Sequence, residues 1–122
     1  MKCNKVLFHI TEWLKDQLKD SRCGGFVVGV SGGIDSALTS TLACMTGRPV
    51  ICLSMPIRQA MDQHDRSIEH LEWLSSMFPN VEVRTIDLGC SLGGFESDFS
   101  DLSISDLAYA NLRSRIRMCA LY

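Results

Sequence analysis

Apolar residues along this chain change their spacing several times, and each change predicts an element. In residues 4–20, Leu7, Ile10, Leu14 and Leu18 recur on one stripe among lysines and acids. That is the period of an amphipathic helix, and Cys23-Gly24-Gly25 ends it. Residues 26–30, FVVGV, are apolar at successive positions, as in a strand covered on both faces. A helix is predicted over 35–45, closed by Gly47, and a second short strand over 49–53, PVICL. After the loop MPIRQ, a helix over 61–77 turns Ile68, Leu71 and Leu74 inward and stops at Pro79. VEVRTIDL, residues 81–88, alternates and predicts a third strand. The acidic, Gly/Ser-rich stretch 89–103 predicts a loop. Residues 104–122 predict a last helix, with Ile104, Leu107, Ala108, Leu112 and Ile116 apolar among several arginines.

Strands alternating with helices predict an α/β, Rossmann-like parallel sheet with helices on both faces, joined by right-handed crossovers. The 122 residues make one domain, 1–122. Ligands of such sheets bind beyond the carboxyl ends of the strands, which is where SGGIDS, residues 31–36, falls. A net charge of −2 argues against nucleic-acid or membrane-surface binding. No apolar run approaches the ~18 residues of a spanning helix. Charges interrupt what would be the apolar core of a signal peptide at the N-terminus, so the chain reads as cytoplasmic. The six cysteines form no C-x-x-C pair and read as small core residues or bystanders in a reducing compartment. His9, His64 and His70 lack metal-site spacing. His64 and His70 diverge at ~100° per residue on one helix, and Asp62, Asp65 and Glu69 read as its solvated face.

SGGIDS carries the chemistry. Gly32 and Gly33 lack a Cβ, so the backbone can take positive φ and let a bulky ligand approach its N–H groups. A helix beginning near Asp35 adds unpaired donors and a positive dipole end, and Ser31 and Ser36 add hydroxyls. A tight turn with an aspartate cap explains one glycine and Asp35, but not the remaining glycine and both serines. Residues 29–36, GVSGGIDS, contain no lysine, which excludes G-x-x-x-x-G-K-[ST], and G-x-G-x-x-G does not occur. A carboxylate beside phosphates repels them unless a cation lies between, so Asp35 points to Mg²⁺ bridging carboxylate and polyphosphate. The expected ATP or pyrophosphate contacts are therefore Gly29, Val30, Ser31, Gly32, Gly33, Ile34, Asp35 and Ser36, with Asp35 as the metal ligand.

SGGIDS resembles the pyrophosphate-binding loop of the N-type ATP pyrophosphatases, which cut ATP between the α- and β-phosphates and adenylate their substrate. Two further stretches, LSMPIRQAMDQHDRSIEHLEWL (53–74) and ANLRSRIRMCALY (110–122), are similar to NAD synthetases. The second resembles their N-x-x-A-R-x-R-M-x-x-x-Y helix at Asn111, Arg115, Arg117, Met118 and Tyr122. On pattern alone, 113–117 is a solvated helix end whose charges favour the dipole. The resemblance instead implies that Arg115 contacts deamido-NAD and that Gln59 takes part in holding the adenylate. It implies ATP and Mg²⁺, ammonia as nitrogen donor, and a homodimer built on the helix over 104–122.

Three departures accompany the resemblance. Many relatives carry an arginine near the position of Ser54, whereas here the nearest is Arg58. Ser114 stands where alanine is usual. Relatives also continue with two more strands, a second acidic magnesium ligand, and lysine and threonine contacts. The resemblance therefore implies an N-terminal half, a truncated five-stranded sheet in which strand 26–30 lacks a neighbour. The expected activity is ATP-dependent amidation of deamido-NAD. The alternatives are another N-type ATP pyrophosphatase, of the GMP synthetase or tRNA thiolase type, and a nucleotide-binding fragment without turnover.

Overall fold

The computed structural model describes residues 1–58 and 61–122. Along the described residues run α1 (Cys3–Ser21), β1 (Phe26–Gly29), α2 (Ile34–Met45), β2 (Val50–Ser54), α3 (Met61–Met77), β3 (Val81–Thr85), α4 (Gly89–Asp98) and α5 (Asp106–Leu121). The strands form one parallel sheet in the order β1-β2-β3. Register runs from Phe26 opposite Val50 and Val50 opposite Val81 to Gly29 opposite Leu53 and Ser54 opposite Thr85.

Side chains alternate across a strand, and this fixes which helix covers which face. Val28, Val30, Val50, Cys52, Val81 and Val83 meet Ala43 and Cys44 of α2 and Leu71 and Leu74 of α3 in the main core. On the opposite face α5 packs at the end of β1, where Leu121 approaches Gly29. A second cluster of Ile57, Leu92 and Ile116, flanked by Leu88, Tyr109 and Leu112, joins α4 and α5 to the loop after β2. Helices thus lie on both faces, but the second is covered only at its carboxyl end. Val27 and Ile51 stay 46% and 38% exposed there, so residues 26–30 are covered on one face along most of their length, not on both.

Two expected elements change. Residues 89–98 are helical, not loop. Leu88 and Leu92, one turn apart, pack on Ile57 and Ile116, and that burial outweighs the poor helix propensity of Gly93 and Gly94. The third strand ends at Thr85, although the Ile86 N–H still donates to Ser54 O at 2.8 Å and Leu88 N–H to Pro56 O at 2.9 Å. Ser105, just after Ile104, caps α5 by accepting from the Ala108 N–H at 3.2 Å. Its inward stripe is Tyr109, Leu112 and Ile116, whereas Leu107 (73% exposed) and Ala108 face outward. In α1 the stripe Leu7, Ile10, Leu14 and Leu18 is half-buried around the buried Thr11, and the helix packs on α2.

Candidate functional site

Past β1 the Val30 N–H donates to Leu53 O at 2.7 Å, after which the chain leaves the sheet and turns into α2. Gly32 takes φ +90, and a Cβ there would lie 2.3 Å from the Gln63 carbonyl oxygen of α3. The fold itself demands this glycine, before any ligand is considered. Gly33 is different: it is extended (φ −88, ψ 163) and forms the N-cap of α2. A Cβ at Gly33 would meet nothing nearer than Ser31 Oγ at 3.5 Å. Only the first glycine therefore uses the positive φ expected of both. The helix starts at Ile34 with no side-chain cap, so Asp35 sits within its first turn and is not its cap.

The two serines hold the loop together. Ser36 Oγ donates to Gly33 O (3.1 Å) and accepts from the Ser31 N–H (3.1 Å), the two hydroxyl oxygens are 3.1 Å apart, and the Gly33 N–H donates to Ser31 Oγ (3.3 Å). Both hydroxyls are thus engaged inside the loop, and the donors it offers outward are backbone. The N–H groups of Gly32, Ile34, Asp35 and Ser36 have no acceptor among the described residues. Four such donors at a helix start are groups that an anion could accept from. The Asp35 carboxylate beside them is exposed and makes no ion pair among the described residues. No group of three or more His, Cys, Asp or Glu that could hold a metal occurs among the described residues. Asp35 offers one carboxylate, which suits Mg²⁺ because that ion completes its shell from phosphate oxygens and water.

Three of the cavities formed by the described residues border the loop. One of about 340 Å³ is lined by Ser31, Ile57, Arg58, Gln63, Arg113 and Arg117. Next to it, a more apolar one of about 260 Å³ lies against Gly29, Val30, Ser31, Met55 and the last turns of α5. The third, about 470 Å³, opens between the N-terminus of α2 and α3, where Arg66 Nε donates to Gly32 O (3.3 Å). His70 lines it too, bonded to Ser40 Oγ at 2.9 Å. Burial pushes the His70 pKa down.

The arginines that share a cavity with Ser31 are not the one singled out from sequence. Arg113 and Arg117, one turn apart, turn one face of α5 into the cavity, and Arg58 enters from the loop after β2. Arg117 donates through Nε to Met55 O at 3.0 Å. Burial first, and then the Arg113 charge, lower its pKa. Arg115 is exposed and lines none of these cavities. Gln59 lies outside the described residues. The four-residue spacing of Arg113 and Arg117 was a readable signal that both share a helix face; the approach of Arg58 was not readable.

Comparison with known proteins shows the family and the fold. A family model described as NAD synthase matches residues 6–122. The chain is 35% identical over 128 residues to an NH(3)-dependent NAD(+) synthetase of Methanosarcina acetivorans, covering 100% of this chain and 48% of that protein. Against the protein of the same name from Mycoplasmopsis pulmonis the identity is 33%, over 93% of this chain and 42% of the other. Among solved structures, an NMN synthetase from Francisella tularensis superimposes with a TM-score of 0.88 at 29% identity, over 100% of this chain and 49% of that one. The NH3-dependent NAD synthetase from Campylobacter jejuni, in complex with the nitrate ion, gives 0.85 at 27%, over 100% and 51%. The chain spans about half the length of the curated relatives it matches. No helix among the described residues is long and apolar enough to cross a membrane. With a family match over nearly every residue and the same fold in solved relatives, the chain belongs to the NAD synthase family.

Proposed function

We propose that the chain serves the ATP-dependent amidation of deamido-NAD to NAD, with ammonia as nitrogen donor. A nicotinate carboxylate oxygen attacks the α-phosphorus of ATP, and the bond to the β-phosphate oxygen breaks, releasing pyrophosphate. Ammonia then attacks the carboxyl carbon, AMP leaves and the nitrogen loses a proton. The observation that carries this reading is the row of four acceptor-free N–H groups at the start of α2, beside the arginine-lined cavity. Backbone donors fixed before the ligand arrives stabilise charge that grows on a leaving pyrophosphate. Gly29 to Ser36 hold that group, and Arg113 and Arg117 face its oxygens from α5. Arg115, exposed on the same helix, takes the dinucleotide. When bound, Mg²⁺ at Asp35 supplies charge neutralisation between carboxylate and phosphate. The protein works in the cytoplasm as a homodimer built on α5.

The Francisella relative is named for NMN, which makes the mononucleotide a second candidate product. The test is turnover with ATP, ammonia and either deamido-NAD or nicotinate mononucleotide, on this chain and on any longer natural form containing it. AMP and pyrophosphate should form in equal amounts, with deamido-NAD the better substrate. ADP and phosphate would contradict the chemistry, and a preference for the mononucleotide would reassign the product.

A further inference from the structure

Among the described residues, two that are not glycine take positive φ: Arg22 and Arg58. Arg22 ends α1 as a left-handed C-cap, a common use of that conformation. Arg58 (φ +49) lies in the loop after β2 and ends no helix. A residue with a Cβ avoids this region unless its surroundings hold it there.

The Arg58 side chain lies against α4. Its Nη1 donates to Glu96 Oε1 at 2.5 Å, and Nη2 lies 3.5 Å from where a Cβ on Gly93, one turn earlier, would stand. The same side chain also lines the cavity with Ser31, Arg113 and Arg117. It therefore has α4 on one side and the cavity beside Ser31 on the other. Both members of the ion pair are partly open to water, with side-chain exposures of 55% and 37%, so the pair is held loosely enough to be exchanged for another anion. The end of β2 contributes no cation of its own, because Ser54 is buried and bonded to Ser67 at 3.1 Å.

We propose that Arg58 is a phosphate-binding residue of the cavity beside Ser31, and that Glu96 is an internal anion that positions Arg58 and competes with the incoming phosphate. The ligand class is a polyphosphate chain, whose charges suit several guanidinium groups around one space. This rests on the reading of residues 31–36 as a pyrophosphate loop.

The experiment is calorimetric titration of the chain with inorganic pyrophosphate and Mg²⁺ at fixed ionic strength, with thermal melts to establish folding. Arg58→Asn removes the charge while asparagine tolerates the left-handed backbone; Arg58→Gly is the second form of the same change. Either weakens binding by about five- to tenfold, the scale of one partly exposed charge-assisted contact. Glu96→Gln tightens binding by about threefold, since the competitor is gone. The double variant Arg58→Asn/Glu96→Gln binds like Arg58→Asn alone, because Glu96 acts only through Arg58. Unchanged affinity in folded Arg58→Asn and Arg58→Gly, or weaker binding in Glu96→Gln, overturns the inference and leaves the loop's role standing. A wild-type chain that binds no pyrophosphate overturns both.

Discussion

Replacing Gly32 by alanine places a Cβ 2.3 Å from the Gln63 carbonyl oxygen, with a backbone φ of +90 that L residues rarely adopt. The conformational term costs about 1–2 kcal/mol. Pushing the α3 backbone away adds about 1–3 kcal/mol, the usual scale of overpacking. Together Gly32→Ala should lose about 2–5 kcal/mol, a large share of the 5–15 kcal/mol typical of a domain. Gly33→Ala, one residue on, should behave otherwise. Its backbone is extended, and its nearest Cβ neighbour is Ser31 Oγ at 3.5 Å. The stability cost is about 0.5 kcal/mol, the ordinary preference for glycine over alanine at an N-cap. The added methyl stands on the loop surface where the anion is proposed to bind, so Gly33→Ala should lose about tenfold in pyrophosphate affinity, equivalent to about 1.4 kcal/mol. Urea denaturation followed by circular dichroism, with the slope m checked for constancy, measures the first quantity. Calorimetry measures the second. A Gly32→Ala cost below about 1 kcal/mol would refute the close-approach argument, and equal stability losses in both variants would refute the division of roles.

Four further outcomes are expected. Arg117→Ala, which loses the half-buried Nε bond to Met55 O, should cost about 1–3 kcal/mol in urea denaturation. Arg115→Ala should change stability by under about 0.5 kcal/mol and raise the KM for deamido-NAD about tenfold, with ATP unaffected; equal losses for both substrates would make Arg115 structural. Burial lowers the His70 pKa, so the unfolded chain binds that proton more readily. The stability tied to His70 is complete above its unfolded pKa, about 6.5, and declines as pH falls below it toward the folded value. A urea midpoint series from pH 7.5 to 5 should show that decline, and His70→Gln should flatten it. Light scattering at micromolar concentration should give twice the 13.6 kDa chain mass; a stable monomer would remove α5 as a dimer surface.

Most of the sheet was legible because its signals are local. Continuous apolar runs at 26–30 and 49–53 became parallel strands, as did the first five residues of the alternation at 81–88, and the SGGIDS turn fell at the carboxyl end of β1 as the topology requires. Helix α4 was not legible, because two glycines and an acidic composition hide the Leu88–Leu92 pair that anchors it. Missing α4 also hid Glu96, and with it the reason Arg58 reaches the cavity. The separate roles of Gly32 and Gly33 depend on where the Gln63 carbonyl lies, a contact between residues far apart in sequence. Arg115 was singled out by resemblance, but which arginines line the cavity follows from how α5 is rotated when Ile116 is buried.

Residues 31–36 are proposed to form a pyrophosphate site completed by a magnesium ion on Asp35. Its most direct test is a calorimetric titration of inorganic pyrophosphate into the wild-type chain and Asp35→Asn, each with and without Mg²⁺. Wild type should bind about tenfold more tightly with the cation, as a bridging metal replaces repulsion between carboxylate and phosphate. Asp35→Asn should lose that enhancement while keeping or improving its metal-free affinity, because a negative charge has been removed from the loop. Equal magnesium enhancement in both proteins would rule out the metal role and leave Asp35 as an acidic residue that only favours the helix start.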